Sequence, residues 1–301
     1  MSAPLANLDL VARFGVAARE LGVDVGGVAQ AMPLLGEQLA DAEVGFCTDG
    51  SSLAIATTAP VDRAWGERIG KLAQLLGADP GPVDRLLHGR PARAIRLELA
   101  STPKPAGLAA TLRWIGDGTI DDDATLFVAS GVLSGVSESV RAVLVDRAQF
   151  LAQDPAARGQ TAAFTLRYAL GEETEVGVAI RLSSAEADLP DAMGRVEAIQ
   201  KEIGIGPQQR TLFERMHPLL GLGKVALVEL SGSAREMLPR TTIRWAAASW
   251  DEAMRVASGL ARDGATRTGK FSGSFASAEP TSIAVGFCPT DPPPAWIWAR
   301  P

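Results

Sequence analysis

The sequence predicts an α+β protein in which a ten-stranded antiparallel β-barrel is surrounded by α-helices. Helical and strand-like segments alternate in five rounds, each round a helix followed by a pair of strands. The strands alternate polar and apolar residues, so each has one apolar face that helices can cover. An open layered sheet is the alternative, but a closed barrel leaves no strand edge exposed.

Composition indicates an ordinary soluble globular protein. The chain has 301 residues, of which 47% are apolar and 21% charged, and no composition shift divides residues 1–301 into separate domains. A net charge of −6 argues against a nucleic-acid partner. There is no membrane-spanning apolar run and no signal-peptide pattern, and two cysteines make no disulfide framework. The expectation is a cytoplasmic monomer that binds small molecules and does not associate with membranes.

The first half of the chain contains clear helix and hairpin signals. Leu10, Phe14, Ala17 and Leu21 recur at helical spacing, and Asp49-Gly50 between two alternating runs is a hairpin signal. The predicted elements of this half are helices over 5–22 and 26–40, strands over 43–48 and 53–59, a helix around 65–75, a short helix ending near 88, and strands over 92–100 and 108–115.

The second half repeats the pattern. A glycine-containing turn at 171–173 links two alternating runs, and the last part of the chain is rich in proline. The predicted elements of this half are a helix over 136–153, strands over 161–170 and 175–183, a helix over 189–203, strands over 224–231 and 240–248, a helix over 251–262, and strands over 269–276 and 281–288.

A short motif occurs three times, at Thr111–Trp114, Thr165–Tyr168 and Thr242–Trp245. In each copy the threonine and arginine share one strand face, and the aliphatic and aromatic residues share the other. If the apolar faces point outward, small residues and cations line an open, electropositive lumen. Guanidinium groups bind phosphate oxygens well, so this lumen suits a diphosphate. The cations predicted to point inward are Arg96, Arg113, Arg167, Arg181, Arg240, Arg244 and Lys270.

The arginines have a simpler interpretation as well. They could pair with Glu98, Glu175 or Glu229 and contribute to stability rather than to ligand binding. Glu98 shares a strand face with Arg96, and it is a candidate general base for an aromatic nucleophile. The alternative for Glu98 is a counter-ion, because buried charges are generally paired.

Three aromatic residues of the repeated motif are candidates for the lumen. Trp114, Tyr168 and Trp245 could flank a cation or stack on an aromatic substrate. Aromatic residues at strand spacing also form ordinary hydrophobic core, and this is the alternative for all three.

No metal site is predicted. The run Asp121-Asp122-Asp123 is typical of a solvated turn or a helix cap, and no second acidic cluster stands at a suitable spacing. His88 and His217 both lie outside the predicted strands, so we expect them to be structural.

The order of elements resembles the ABBA-type aromatic prenyltransferases, whose fold is a ten-stranded antiparallel barrel ringed by helices in α-β-β-α units. Short sequence similarities accompany the order. They are Arg19–Val23, Pro33–Leu35, Leu39–Ala42 leading into Val44–Cys47, and Gly81–Leu87.

The resemblance implies transfer of a prenyl group from an allylic diphosphate to an aromatic molecule, an indole, a phenol or a peptide, in secondary metabolism. The sequence differs from the family pattern in two places. Gly107–Thr111 has no lysine where the family binds diphosphate, and Tyr168 is the only tyrosine where the family has several. An enzyme of different chemistry or a non-catalytic binder on the same barrel are therefore the alternatives. The allylic diphosphate would be a co-substrate; Mg²⁺ could accompany it, but no residue pattern supports a metal.

Overall fold

A computed structural model describes most of the chain. The described residues are 3–60, 63–78, 94–104, 107–115, 161–169, 175–181, 189–202, 204–219, 225–233, 240–246, 249–289 and 295–301, with positions 138, 142 and 146. Apart from those three positions, the predicted helix over 136–153 lies outside the described residues. The predicted short helix near residue 88 and the acidic run at 121–123 lie outside them as well.

Ten antiparallel strands form a closed barrel, which confirms the predicted fold class. Each strand pairs with its neighbours in the chain, and β10 pairs with β1 to close the ring. The strands are β1 Glu43–Cys47, β2 Leu53–Ala59, β3 Ala94–Ser101, β4 Leu108–Ile115, β5 Thr161–Ala169, β6 Glu175–Arg181, β7 Val225–Ser233, β8 Arg240–Ala246, β9 Glu279–Phe287 and β10 Ala295–Arg300.

The described helices precede β1 or lie between later strand pairs. The described ones are α1 Ala3–Leu21, α2 Gly26–Ala31, α3 Arg63–Leu75, α4 Leu189–Glu202, α5 Pro207–Leu219, α6 Trp250–Leu260 and α7 Gly264–Ser274, and a 3₁₀ segment covers Met32–Asp41. The 3₁₀ segment occupies most of the single helix predicted over 26–40. Pro33 stands at its start and Gly36 has φ of 57°, so a continuous α-helix is interrupted there. Among the described residues, no helix is long and apolar enough to cross a membrane.

The hydrophobic core lies between the barrel wall and the helices. Apolar residues of the outward strand faces, such as Leu97, Val228 and Ile243, pack in one cluster with helix residues such as Phe14 and Ile69. Strand alternation fixes this division, because successive side chains point to opposite faces of the wall. The residues between these apolar positions must therefore face the barrel interior.

The last strand pair differs from its prediction. Residues 269–276 were predicted as a strand, but they belong mainly to α7, and the final hairpin is β9 with β10. Thr268, Phe271 and Phe275 are all buried, at the three- and four-residue spacing of a helix. The alternation of polar and apolar residues around Phe271 therefore belongs to a helix. The segment from Ala295 onward is a strand that completes the barrel, and not part of a proline-rich tail.

Candidate functional site

The threonine–arginine face of the strands points into the barrel, as predicted. A cavity of about 400 Å³ occupies part of the interior. Its wall includes Thr111, Arg113, Thr165, Arg167, Thr242 and Arg244 from the three motif copies. Turn residues Asp49 and Thr102 also line it, which places its mouth at the end of the barrel where the β1–β2 and β3–β4 turns lie.

Glu98 stands at the centre of a buried ion-pair network. Its Oε1 accepts hydrogen bonds from Arg96 Nε at 2.8 Å and from Arg244 Nη2 at 3.3 Å, and its Oε2 pairs with Arg113. Burial alone raises the pKa of a carboxyl group, but the guanidinium groups of Arg113, Arg96 and Arg244 outweigh burial and hold the pKa of Glu98 far below its usual range. This geometry favours the counter-ion alternative over the general base.

The network extends across the barrel in both directions. Arg113 donates from Nη2 to Glu229 Oε2 at 3.0 Å, and Arg96 pairs with Glu43. Together these groups form what we call the floor network, which bounds the inner end of the cavity. Its members are Glu43, Arg96, Glu98, Arg113, Glu229 and Arg244.

Arg244 has the weakest carboxylate contact of the floor network. Its only described ion pair is with Glu98, and its side chain is 15% exposed. Desolvation by burial lowers the pKa of Arg244 to about 10; the charge of Glu98 opposes that shift, and the nearby Arg113 and Arg96 add to it. Its guanidinium is therefore the least compensated cation of the network.

A second cluster lies toward the mouth of the cavity. Arg167 Nη1 contacts Glu175 Oε1 at 3.1 Å, and Arg240 Nη1 lies 3.6 Å from Glu175 Oε2. We call these three residues the rim triad. The Arg167 and Arg240 side chains are 28% and 39% exposed, so they are more accessible than the floor network.

The prediction of an electropositive lumen is wrong for the described wall. The lining contains Arg113, Arg167, Arg240 and Arg244, but also Asp49, Glu98, Glu175 and Glu229. The sequence alternation placed the arginines inward, and the carboxylates of the same inward faces meet them there. The alternative in which Glu98, Glu175 and Glu229 pair with the arginines describes the observed contacts.

Two further predicted cations do not contribute a described side chain to the cavity. Lys270 was predicted to point into the lumen, which is wrong, because it lies exposed on α7 outside the barrel. Arg181 ends β6, and its side chain lies outside the described part of the structure.

The three aromatic lumen candidates are also corrected by the structure. Trp114 and Trp245 are buried in the hydrophobic cluster between wall and helices, and Tyr168 packs against the same cluster. Each stands one position after an inward-facing arginine, so strand alternation turns it outward. They belong to the core, as the alternative interpretation stated.

The aromatic part of the cavity comes instead from Trp296 and Trp298 on β10. Their rings stack with centroids 5.8 Å apart and an interplanar angle of 21°. Trp298 packs against Ala54 and Ala56, and Arg96 Cζ lies 5.0 Å from its ring centroid. The Ala-Trp-Ile-Trp-Ala alternation of residues 295–299 was the sequence signal for this strand.

Gly45 makes room for Trp298 on the neighbouring strand. The two residues are paired in register, and a Cβ at Gly45 would lie 2.7 Å from Trp298 Cε3. We predict that Gly45→Ala lowers the melting temperature, because overpacking costs about 1–3 kcal/mol. Gly70→Ala is the matched control, since a Cβ there meets nothing within 4 Å. Equal melting temperatures for wild type and Gly45→Ala in a calorimetric scan would contradict the packing argument.

Comparison with known proteins identifies the fold. No protein-family model and no curated protein matches the sequence. Solved structures do match: 5-dimethylallyltryptophan synthase from Streptomyces coelicolor superposes with a TM-score of 0.66 and 13% identity, over 97% of this chain and 96% of that chain. The chain has the fold of the ABBA aromatic prenyltransferases.

Other structures of the same fold contain bound ligands. The 6-dimethylallyltryptophan synthase from Micromonospora olivasterospora, in complex with DMASPP and Trp, matches with a TM-score of 0.64 and 12% identity, over 98% of this chain and 96% of that chain. PriB in its binary complex with product diphosphate matches with a TM-score of 0.62 and 13% identity, over 100% of this chain and 96% of that chain. At 12–13% sequence identity, the similarity to the ABBA prenyltransferase structures shows a shared fold only.

The floor of this ABBA barrel makes its stability depend on pH. The folded-state pKa values of Glu98 and Glu43 are both lowered from 4.5. The unfolded chain then binds more protons in acid, so stability is fully present above about pH 4.5 and is lost as pH falls. We predict that the melting temperature stays nearly constant from neutral pH down to about pH 5 and then falls steadily, and that Glu98→Gln has a shallower dependence below that pH. A melting temperature that rises in acid would contradict this assignment.

Proposed function

We propose that this ABBA-type barrel transfers a prenyl group from an allylic diphosphate to an aromatic small molecule. The supporting observation is that one cavity combines an indole wall with guanidinium groups on the wall opposite. β10 and β5 are five strands apart in the ring of ten, so Trp296 and Arg167 face one another across the barrel. A volume near 400 Å³ lies within the range of small-molecule pockets.

The rim triad suits the diphosphate. Arg167 and Arg240 both contact the carboxylate of Glu175, and both lie near the cavity mouth, where they are more exposed than the floor arginines. Arginine binds phosphate oxygens through paired N–H donors and keeps its charge. Arg96 and Arg113 each contact two carboxylates in the floor network, and this makes them less suited to a phosphate group.

The reaction needs charge stabilisation rather than a strong base. The bond between the allylic carbon and the diphosphate oxygen breaks, and the electron pair leaves with the diphosphate. A ring carbon of the aromatic substrate then bonds to the allylic carbon and loses its proton to water. Trp296 would shield the allylic cation with its ring face. Glu98, with its low pKa, would hold the floor arginines in place instead of accepting that proton.

Direct assay of the wild-type protein tests the proposal. Dimethylallyl diphosphate is incubated with 2-naphthol or L-tryptophan, with and without MgCl₂, and pyrophosphate release and product mass are measured. We expect release that depends on the aromatic substrate, together with a product heavier by one prenyl group. Absence of both with every substrate would contradict prenyl transfer.

A second candidate function follows from the paired arginines. Every described guanidinium of the cavity wall lies within 3.6 Å of a carboxylate, which is the arrangement of a charge-balanced pocket for an uncharged aromatic molecule. A binding protein of this kind would hold an aromatic ligand and release no pyrophosphate. The two candidates are therefore separated by the same assay combined with calorimetric titration of the aromatic compound.

A further inference from the structure

The turn between β1 and β2 borders the cavity mouth and is exposed at its tip. Cys47, Asp49 and Ser51 line this side of the cavity. Asp49 and Ser51 are exposed, whereas Cys47 is 3% exposed. Within the turn, Gly50 N donates to Cys47 O at 2.9 Å, and Ser51 N donates to Asp49 Oδ1 at 2.8 Å. These bonds set the local shape of the turn, but they do not tie its tip to another element.

A helix outside the barrel supplies that tie. Arg267 on α7 donates from Nη1 to the backbone oxygen of Asp49, and the same nitrogen lies 3.5 Å from Thr48 O. One helical turn further along α7, Phe271 packs against Phe46 of β1 with ring centroids 4.5 Å apart. Phe46 and Phe271 are both fully buried, so this pair fixes α7 on the barrel wall. Arg267 then reaches from the fixed helix to the tip of the turn.

Gly50 suits this contact in two ways. Its φ is 78°, a conformation that residues with a Cβ rarely adopt. A Cβ at this position would also lie 2.9 Å from Arg267 Cζ. The glycine therefore allows the guanidinium to lie directly against the backbone of the turn.

The turn also covers a thiol. Cys47 faces the barrel interior and pairs in register with Trp296. Burial, together with the charge of Asp49 and a hydrogen bond to its carboxylate, raises the pKa of the Cys47 thiol to about 12. Displacement of the tip would break that hydrogen bond and expose the thiol. The reactivity of Cys47 is thus a measure of the position of the turn.

We propose that residues 48–51 form a movable lip of the cavity mouth, and that Arg267 is the latch that holds this lip in its observed position. Loss of the guanidinium contact raises the fraction of molecules in which the lip is displaced, because such a local opening costs less free energy than global unfolding. The outer helix α7 then sets how readily a ligand passes the mouth. This inference concerns entry to the cavity, and it does not rest on the proposed reaction.

Thiol reactivity measures the opening of the lip. Cys288→Ala leaves Cys47 as the only cysteine of the chain, and this variant is the parent protein. The reagent is 4,4′-dithiodipyridine, which is uncharged, and its reaction is followed by absorbance at a fixed pH. We expect Arg267→Gln to react about tenfold faster than the parent, because a hydrogen bond from a charged group is worth roughly that factor. Arg267→Lys keeps the charge, and its rate should lie between the two.

Control variants separate the contact from general effects. Lys270→Gln removes a cation from an exposed position of the same helix, and its rate should stay within about twofold of the parent. Gly50→Ala retains Arg267 but places a Cβ against the guanidinium, so it should also accelerate the reaction. Gly22→Ala, at φ of 71° with nothing within 4 Å of the added Cβ, should not. If Arg267→Gln does not fold, Gly50→Ala and Gly22→Ala decide.

Low concentrations of urea distinguish a moving lip from unfolding. Local opening exposes little surface, so the faster rate of Arg267→Gln should hardly change with urea below the unfolding transition. Three results would overturn the inference. They are equal rates in Arg267→Gln and the parent, an equal acceleration in Lys270→Gln, and an acceleration that rises steeply with urea. No allylic diphosphate or aromatic substrate is present, so none of these outcomes bears on prenyl transfer.

Discussion

Glu98→Ala is expected to lower the free energy of unfolding by about 3–5 kcal/mol, the usual cost of removing one partner from a buried ion pair. Glu98 is 7% exposed and contacts Arg96, Arg113 and Arg244. Its removal leaves Arg244 with no described carboxylate partner and increases repulsion among the three guanidinium groups. Chemical denaturation followed by far-UV circular dichroism measures the change, and the melting temperature should fall by roughly 10 °C.

The matched control is Glu214→Ala, an exposed glutamate on α5, which should stay within about 0.5 kcal/mol of the wild type. A double variant, Glu98→Ala with Arg244→Ala, should be less destabilised than the sum of its single variants, because the second change removes an unpaired cation. Wild-type stability in Glu98→Ala would show that the floor network does not hold this end of the barrel together.

Strand alternation explains why much of the barrel was predictable. Because the apolar Leu166 and Ile243 face outward, strand alternation requires the adjacent Arg167 and Arg244 to point inward, whatever the rest of the fold. Alternation does not predict which carboxylate each inward-facing arginine contacts. Arg113 meets Glu229 across 116 positions of sequence, and only closure of the ring brings the two together.

The errors have local causes. Phe271 sits in a stretch whose polar and apolar residues satisfy both a strand and a helix pattern, and packing against the core selects the helix. Because residues 264–274 form a helix on the outside of the barrel, Lys270 lies outside the lumen. Trp296 and Trp298 were missed because three prolines precede them and end any regular element, although a strand can begin directly afterwards.

Arg240→Ala is expected to reduce prenyl transfer about 10²-fold, the lower end of the cost of removing one preorganised donor for a developing anion. Arg240 is 39% exposed at the cavity mouth, and solvent there replaces part of the lost charge. Single-turnover measurement of pyrophosphate release, at saturating dimethylallyl diphosphate, reports the chemical step rather than binding.

Glu175→Gln should favour diphosphate binding, whereas Arg240→Ala impairs use of the diphosphate. The Glu175 carboxylate competes with a diphosphate for Arg167 and Arg240, so removing its charge should tighten diphosphate binding about tenfold and leave the size of the side chain unchanged. A purely structural rim triad predicts weaker or unchanged binding in both variants. Tighter binding in Glu175→Gln with slower transfer in Arg240→Ala would place the diphosphate at the rim. An active wild type whose Arg240→Ala variant keeps full activity would exclude the rim triad and leave the floor network to bind the diphosphate.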